Sequence, residues 1–382
     1  MKKVIYINYR PLTLHVYNHF FFDYLISNGI AVEYWEVNRS SIDNLSGGDE
    51  INSAVVRRIN DKTQFSEAIR NENKDNTIFI ILPAFGWHSL WIYWQIERHK
   101  CHTGWFGRLG LPVPKPLGIS KIYWFLDIKK ADRFFKTLLE RLSVVLKKIC
   151  KLSEPQVVFI SGHHFIKNYE RKSEIIAINH FDYDDYLLLD QDIKSTTDNS
   201  YAVFLDENAP YHPDFPILGM QRVEPLVYYQ GLNKFFDIVE KKYGTKIVIA
   251  AHPSSRYKTD VFSGREMHKY KTNELVMESR FVLAHGSTAL SFAVLHHKPV
   301  IFLYNDQFED IYELSILRSI KNLSTVLGGS IYNVDKIQGP EEITLNEVDV
   351  QLYESYKYEN LTSPKSEERL TKDLFLEYLK TN

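Results

Sequence analysis

Short apolar runs separated by polar clusters recur along the chain, and their periodicity alternates between two patterns. Segments 4–8, 31–37, 77–82, 156–161 and 174–178 are brief and rich in β-branched and aromatic residues, which predicts strands. Segment 15–27 has helical spacing and stops at Asn28-Gly29. A strand, helix, strand rhythm predicts a parallel sheet with crossover helices. The clearest helix is predicted over 131–151. Phe134, Phe135, Leu138, Leu139, Leu142, Val145, Leu146 and Ile149 share one face, while Arg133, Lys136, Arg141, Lys147 and Lys148 lie mostly off it. Between 85 and 125 the pattern weakens. Gly104, Gly107, Gly110, Pro112, Pro114, Pro116 and Gly118 punctuate an aromatic, basic stretch that reads as a long functional loop or short helices.

A polar stretch at 190–200 carries no apolar periodicity and marks a boundary. The alternation then resumes, with strands predicted over 201–205, 246–250, 281–284 and 299–304. Helices are predicted over about 224–243, 273–279 and 287–297. The division expected is an N-terminal Rossmann-like unit over 1–190, bearing the aromatic, basic insert at about 85–151. A second unit follows over 201–340, then a helical tail over 341–382 whose helix is predicted at 367–379. The class is α/β, with two doubly wound halves and a cleft between them.

Composition narrows the picture. At 382 residues the chain has room for two domains, and 44% hydrophobic with 25% charged residues is a globular balance. Two cysteines, Cys101 and Cys150, make no disulfide framework and show no metal-ligand spacing, so a reducing, cytoplasmic setting is expected. The basic start is broken by Asn8 and Arg10 and reads as a first strand rather than a signal peptide. The net charge of −2 hides an asymmetry: from Arg98 to Lys151 there are thirteen Lys/Arg against three Asp/Glu. Five of the six tryptophans lie in or beside that window. Peripheral contact with an anionic membrane through 85–151 is therefore expected, at the inner face of a bacterial inner membrane. No nucleic-acid module is visible.

Candidate chemistry gathers at three predicted strand ends. Asp206-Glu207-Asn208 follows 201–205, His252-Pro253-Ser254-Ser255 follows 246–250, and His285-Gly286-Ser287-Thr288 follows 280–283. Ligands of open α/β sheets bind outside the carboxyl ends of the strands, so the three motifs should converge on one crevice. Adjacent acids at a strand end point to opposite sides, so one of Asp206 and Glu207 should face the site, and Asp206 is the expected catalytic carboxylate. His252, held extended before Pro253, can donate to a phosphate oxygen. Ser287 and Thr288 open a helix and suit an anion. Arg265 could pair a donor carboxylate or serve as a surface arginine. Asp182-Tyr183-Asp184-Asp185 contains an Asp-x-Asp but reads as a solvated loop. His163-His164 and His296-His297 lack the spacing of a metal site.

An acidic pair, a His-Pro and a Ser/Thr motif in this order resemble the bacterial sialyltransferase and Kdo-transferase group of GT-B glycosyltransferases. The resemblance covers roughly 200–305. It implies a catalytic carboxylate at Asp206, with Glu207 and His252 beside it. It also implies a donor phosphate met by His252, Pro253, Ser254, His285, Gly286, Ser287 and Thr288. The chain departs from the sialyltransferase pattern at Asn208, where Gly is usual, which turns the resemblance toward the Kdo side. The same resemblance implies a metal-independent transferase with no cofactor beyond its nucleotide-sugar donor. That donor would be a CMP-linked ulosonic acid, and the acceptor a surface glycan or lipid-linked glycan. The segment 287–302 also looks like wall and capsule polymer transferases, so a CDP-glycerol-type reaction stands as an alternative, as does a UDP- or GDP-hexose donor. A non-catalytic membrane-docking scaffold is the alternative of another class.

Overall fold

The computed structural model describes residues 1–37, 50–51, 53–108, 141–164, 166–169, 172–189, 200–212, 221–257, 259–312 and 316–382. The centre of the aromatic, basic insert and the first part of the helix predicted over 131–151 lie outside the described residues, as does most of the linker at 190–200.

Two parallel sheets organise the chain. The first contains β1 (Lys3–Asn8), β2 (Ala31–Val37), β3 (Val56–Ile59), β4 (Thr77–Ile81), β5 (His102–Gly107), β6 (Val157–Ser161) and β7 (Glu174–Ile178), in the order β3-β2-β1-β4-β5-β6-β7. The second contains β8 (Tyr201–Leu205), β9 (Lys246–Ala251), β10 (Met267–Lys269), β11 (Val282–Ala284), β12 (Val300–Tyr304) and β13 (Ser330–Asn333), in the order β10-β9-β8-β11-β12-β13. Both are doubly wound: the chain runs to one edge from the first strand, then returns and fills the other side. Alternation explains why the strands look uniformly apolar. In β1, Val4 and Tyr6 enter one core while Ile5 and Ile7 enter another on the opposite face. Both faces are thus covered, as a parallel sheet requires.

Several expectations need correction. The helix predicted over 15–27 is two short helices, Leu14–His19 and Phe22–Ser27, because Phe21 takes a left-handed conformation with φ 62°. The glycine-punctuated stretch contains β5, an interior strand, rather than a loop throughout. Gly104 sits there because a Cβ would come within 2.7 Å of Ile80 Cδ1 on the next strand. The Asp-x-Asp segment is not a solvated loop: it forms the helix Phe181–Leu188, whose Tyr183 belongs to the second core. Nor is the tail a unit apart. Its last helix, Thr371–Thr381, returns to the first core and packs Phe375, Leu376, Tyr378 and Leu379 there.

Where the chain crosses between the units, buried polar groups satisfy one another. Asn179 N donates to Thr371 Oγ1 (3.0 Å) and Asn179 Nδ2 to Arg369 O (2.7 Å). Thr362 Oγ1 donates to Asn179 Oδ1 (2.7 Å), and Thr371 N to Asp184 Oδ1 (3.0 Å). Buried polar groups are costly unless paired, so this knot fixes one arrangement of the two outgoing segments.

Candidate active site

Strands β9, β8 and β11 are neighbours, so their carboxyl ends bring the three sequence motifs together at the place where the second sheet reverses its winding. Two carboxylates stitch them. Asp206, buried after β8, accepts from Asn208 N (2.8 Å) on Oδ1. Its Oδ2 accepts from His252 N (3.1 Å) after β9 and from the Tyr257 hydroxyl (2.6 Å). Burial lifts the Asp206 pKa, against these three donors. Glu207 turns the other way and accepts from Gly286 N (2.6 Å) after β11. Its side chain is partly exposed, yet burial of the carboxyl and then the Asp206 charge raise its pKa to about 7, against the Gly286 bond.

The two adjacent acids thus do different work. Asp206 is a bracket whose oxygens are committed to its own loops. Glu207 keeps a single hydrogen bond, from Gly286 N, and a pKa near neutrality, which suits a general base.

The turn between them explains the departure at position 208. Asn208 is left-handed (φ 51°, ψ 39°), a conformation that glycine adopts freely and that asparagine tolerates better than most side chains. The Asn208 Oδ1 and the Ser255 Oγ are both out of solvent and without a hydrogen-bond partner among the described residues.

Half-buried His252 accepts on Nδ1 from Ser254 N (3.1 Å) and contacts the Ser254 hydroxyl at 2.7 Å. The backbone bond assigns the proton of the neutral ring to Nε2, which makes that edge a donor. Ser254 therefore orients the histidine, and Pro253 is exposed beside it. His212 packs edge-on against the His252 ring at 5.7 Å.

His285 is placed differently from expectation. It is 1% exposed, donates from Nδ1 to Leu303 O (2.6 Å) and accepts on Nε2 from the Tyr228 hydroxyl (2.8 Å). Burial pushes its pKa down to about 4. It is a neutral core histidine that joins β11 to β12, out of reach of a ligand. Arg265 is likewise internal. Its Nε and Nη2 bind Glu240 (3.2 and 2.8 Å), Nη2 also binds Asp237 (2.5 Å), and Nη1 binds Asn233 Oδ1 (3.1 Å) and Phe262 O (3.3 Å). These contacts engage all five N–H groups, so the structure gives Arg265 a fold-holding role rather than a donor contact.

Ser287 and Thr288 border the crevice, Thr288 exposed and Ser287 partly so. The helix predicted over 287–297 is regular only over Leu290–Leu295, entered through a tight turn in which Leu290 N donates to Ser287 O (3.2 Å). The Ser287 hydroxyl accepts from Ala289 N (3.2 Å). This helix carries a contact that sequence reasoning missed: the Ser291 hydroxyl donates to Asp182, the second residue of the crossing helix Phe181–Leu188. Burial raises the pKa of Asp182 to about 7. Among the described residues no group of three or more His, Cys, Asp or Glu side chains is arranged to hold a metal.

The neighbour of Asp182, Phe181, lines a cavity of about 290 Å³ in the first unit. Asn8, Ile81 and Leu82, at the ends of β1 and β4, form its floor, so it occupies the equivalent winding reversal of the first sheet. His15, His19 and Arg108 complete its polar lining. These residues are not singled out in the sequence, because nothing there ties the pair His15 and His19 to Arg108, which lies 89 residues beyond His19.

No model of a known protein family matches the chain, and no curated protein does. Solved structures do resemble it. UGT2 of Phytolacca americana, complexed with UDP-2-fluoro-glucose and pterostilbene, shares 8% identity over 100% of this chain and 99% of that one, with a TM-score of 0.50. The H444N variant of the wall teichoic acid polymerase TagF shares 14% identity over 100% of this chain and 88% of that one, at 0.49. UGT71G1 of Medicago truncatula, complexed with UDP-glucose, shares 9% identity over 99% of this chain and 98% of that one, at 0.47. The likeness to UGT2 spans both units, and at such low identity it establishes the fold, GT-B with two Rossmann-like domains, and no more.

Proposed function

We propose that this chain is a GT-B glycosyltransferase in which Glu207 is the general base, His252 meets the donor phosphate and Asp206 holds both in place. The observation that carries the reading is the split of the acid pair. One carboxyl is locked into loops from adjoining strands; the other has one bond, across to Gly286, and burial raises its pKa to about 7. A base of that pKa is half ionised at neutral pH and can take the proton of an attacking hydroxyl. The tautomer fixed by Ser254 points an N–H from His252 Nε2, a group suited to a leaving phosphate oxygen.

Within that reading, the donor we infer is a CMP-linked ulosonic acid, supported by the order of the acidic, His-Pro and Ser/Thr motifs. A UDP- or GDP-hexose or a CDP-glycerol-type donor is the second reading. The acceptor is a glycan, free or lipid-linked. Docking at an anionic bilayer is supported by Leu142, Val145 and Ile149, which are 42%, 51% and 69% exposed beside Lys148 and Lys151. No helix among the described residues is long and apolar enough to cross a membrane.

Thermal denaturation with CMP, CDP, UDP, GDP and dTDP, each with and without magnesium, tests the donor. A ligand at a hundred times its Kd stabilises by about 2.7 kcal/mol. A metal-independent rise with CMP alone supports the ulosonate donor, and a rise with UDP or GDP moves the protein to hexose transfer. Absence of any shift removes the nucleotide-sugar reading.

A further inference from the structure

The cavity in the first unit contains a charge that the fold does not satisfy. Arg108, the residue after β5, packs its guanidinium within 4.2 Å of the Phe181 ring centre, 5.2 Å of Phe106 and 5.4 Å of Phe21. Its one hydrogen bond among the described residues is a long one, from Nη1 to His19 O at 3.5 Å. The Nε and Nη2 atoms are out of solvent and have no partner among the described residues. That edge is the one with which an arginine grips a carboxylate or phosphate through two parallel bonds. Asp184, the acid that acts on Arg108 electrostatically, already accepts from Thr371 N and Asn179 Nδ2.

No carboxylate among the described residues lines the cavity to compete for the cation. The rings of His15 and His19 lie 3.9 Å apart, and His19 Nδ1 donates to His15 O (2.8 Å), which leaves its Nε2 an acceptor. Burial lowers the pKa of both, and that of His19 to about 4, so they are neutral. Asn8, Trp105 and Phe106 supply an amide and aromatic faces. A buried cation held in an aromatic box, with its forked edge unpaired, destabilises the fold unless something offsets it.

We propose that this cavity is a binding subsite for an anionic group on a sugar-sized ligand, held by the Arg108 guanidinium, whose unpaired Nε and Nη2 edge turns toward the ligand on binding. Calling that ligand the acceptor rests on the transferase reading; the binding itself does not. Phe181 lines the cavity, and its neighbour Asp182 bonds Ser291 in the helix that follows Ser287-Thr288, which links this subsite to the second unit.

The test uses the full chain without donor, titrated by calorimetry with glucuronate, glucose 6-phosphate, glucose and inorganic phosphate. Glucuronate or glucose 6-phosphate should bind at least roughly tenfold (about 1.4 kcal/mol) more tightly than glucose, and the tighter of the two names the anion. Arg108→Met should lose at least that factor. Arg108→Lys, which keeps charge but not the fork, should also lose most of the affinity and covers the case in which the methionine variant does not fold. Glucose binding as well as glucuronate, no binding of any probe, or anion affinity unchanged in both variants would each overturn the proposal. A failure of the transferase reading shows instead as no nucleotide binding by the parent chain in the thermal test while its anion binding remains.

Discussion

The two crevices of this protein arise from the same winding, the first strand of each sheet flanked by its second and fourth, yet they are finished in opposite ways. In the second unit the strand ends carry acids, and loops of the same unit supply the donors: Asp206 gathers three of them and Glu207 one. In the first unit the strand ends surround a cation with an unpaired edge, set among aromatic rings. Topology supplies the hollow and its position; the side chains that close or leave open its hydrogen bonds decide what it can receive. A crevice whose acids are held by its own loops is preorganised for chemistry. An unsatisfied one is poised for a ligand.

Single substitutions probe this contrast. The largest effect is expected from Glu207→Gln, which should lower transfer by roughly 10²–10⁴-fold if Glu207 is the base. The rate of the parent should rise with pH around 7, and that ascending limb should vanish in the variant. Stability carries the opposite sign. The Glu207 carboxyl has a pKa raised from 4.5 to about 7, so the folded state holds more protons than the unfolded state between these values. Stability is therefore lost as pH rises through that window, and melting curves of Glu207→Gln should fall less steeply across it. A transfer rate within twofold of the parent would remove Glu207 from the mechanism.

Asp206→Ala comes next. It strands two backbone N–H groups and a hydroxyl, each at about 1–3 kcal/mol, so the melting temperature should fall by roughly 5 °C or more as activity is lost. An unaltered melting temperature with abolished activity would instead return the catalytic role to Asp206. Arg265→Lys should cost about 1–3 kcal/mol of stability, since a lysine cannot reproduce five directed bonds. Nucleotide affinity should not move; if it does, Arg265 belongs to the site after all. The smallest change is Tyr257→Phe, about 1 kcal/mol of stability with a modest loss of rate, measured by denaturant unfolding alongside kinetics.

Much of the fold was legible because short runs rich in β-branched and aromatic residues stand between polar turns: 31–37, 174–178 and 201–205 match β2, β7 and β8 end to end. The misses have physical causes. In β5, His102 to Gly107 contains two glycines that read as loop, because the tight neighbours that exclude a side chain at Gly104 lie on other strands. The helix break at Phe21 was hidden, since a left-handed phenylalanine is set by packing rather than by its identity. At the site, the sequence could bring the motifs to one crevice but could not say which acid was already engaged. Apart from Asn208, the partners that tell Asp206 from Glu207 lie 46 to 79 residues away. Arg108 and Arg265 show the same limit, one looking ordinary and carrying an unpaired edge, the other looking available and fully engaged.

The return of Thr371–Thr381 to the first core has a consequence for how such proteins can be recombined. The N-terminal half is not a cassette that ends at the linker, because one of its building blocks is encoded beyond the second unit. A chimera that takes the first half from one parent must take these closing residues from it too, along with the asparagine and threonines that knot the crossings. An exchange made at the linker alone would leave Phe375 and Leu379 without their native sockets. The two halves can therefore be traded between lineages only by two breakpoints, which makes one such exchange far rarer than the sequence boundary suggests.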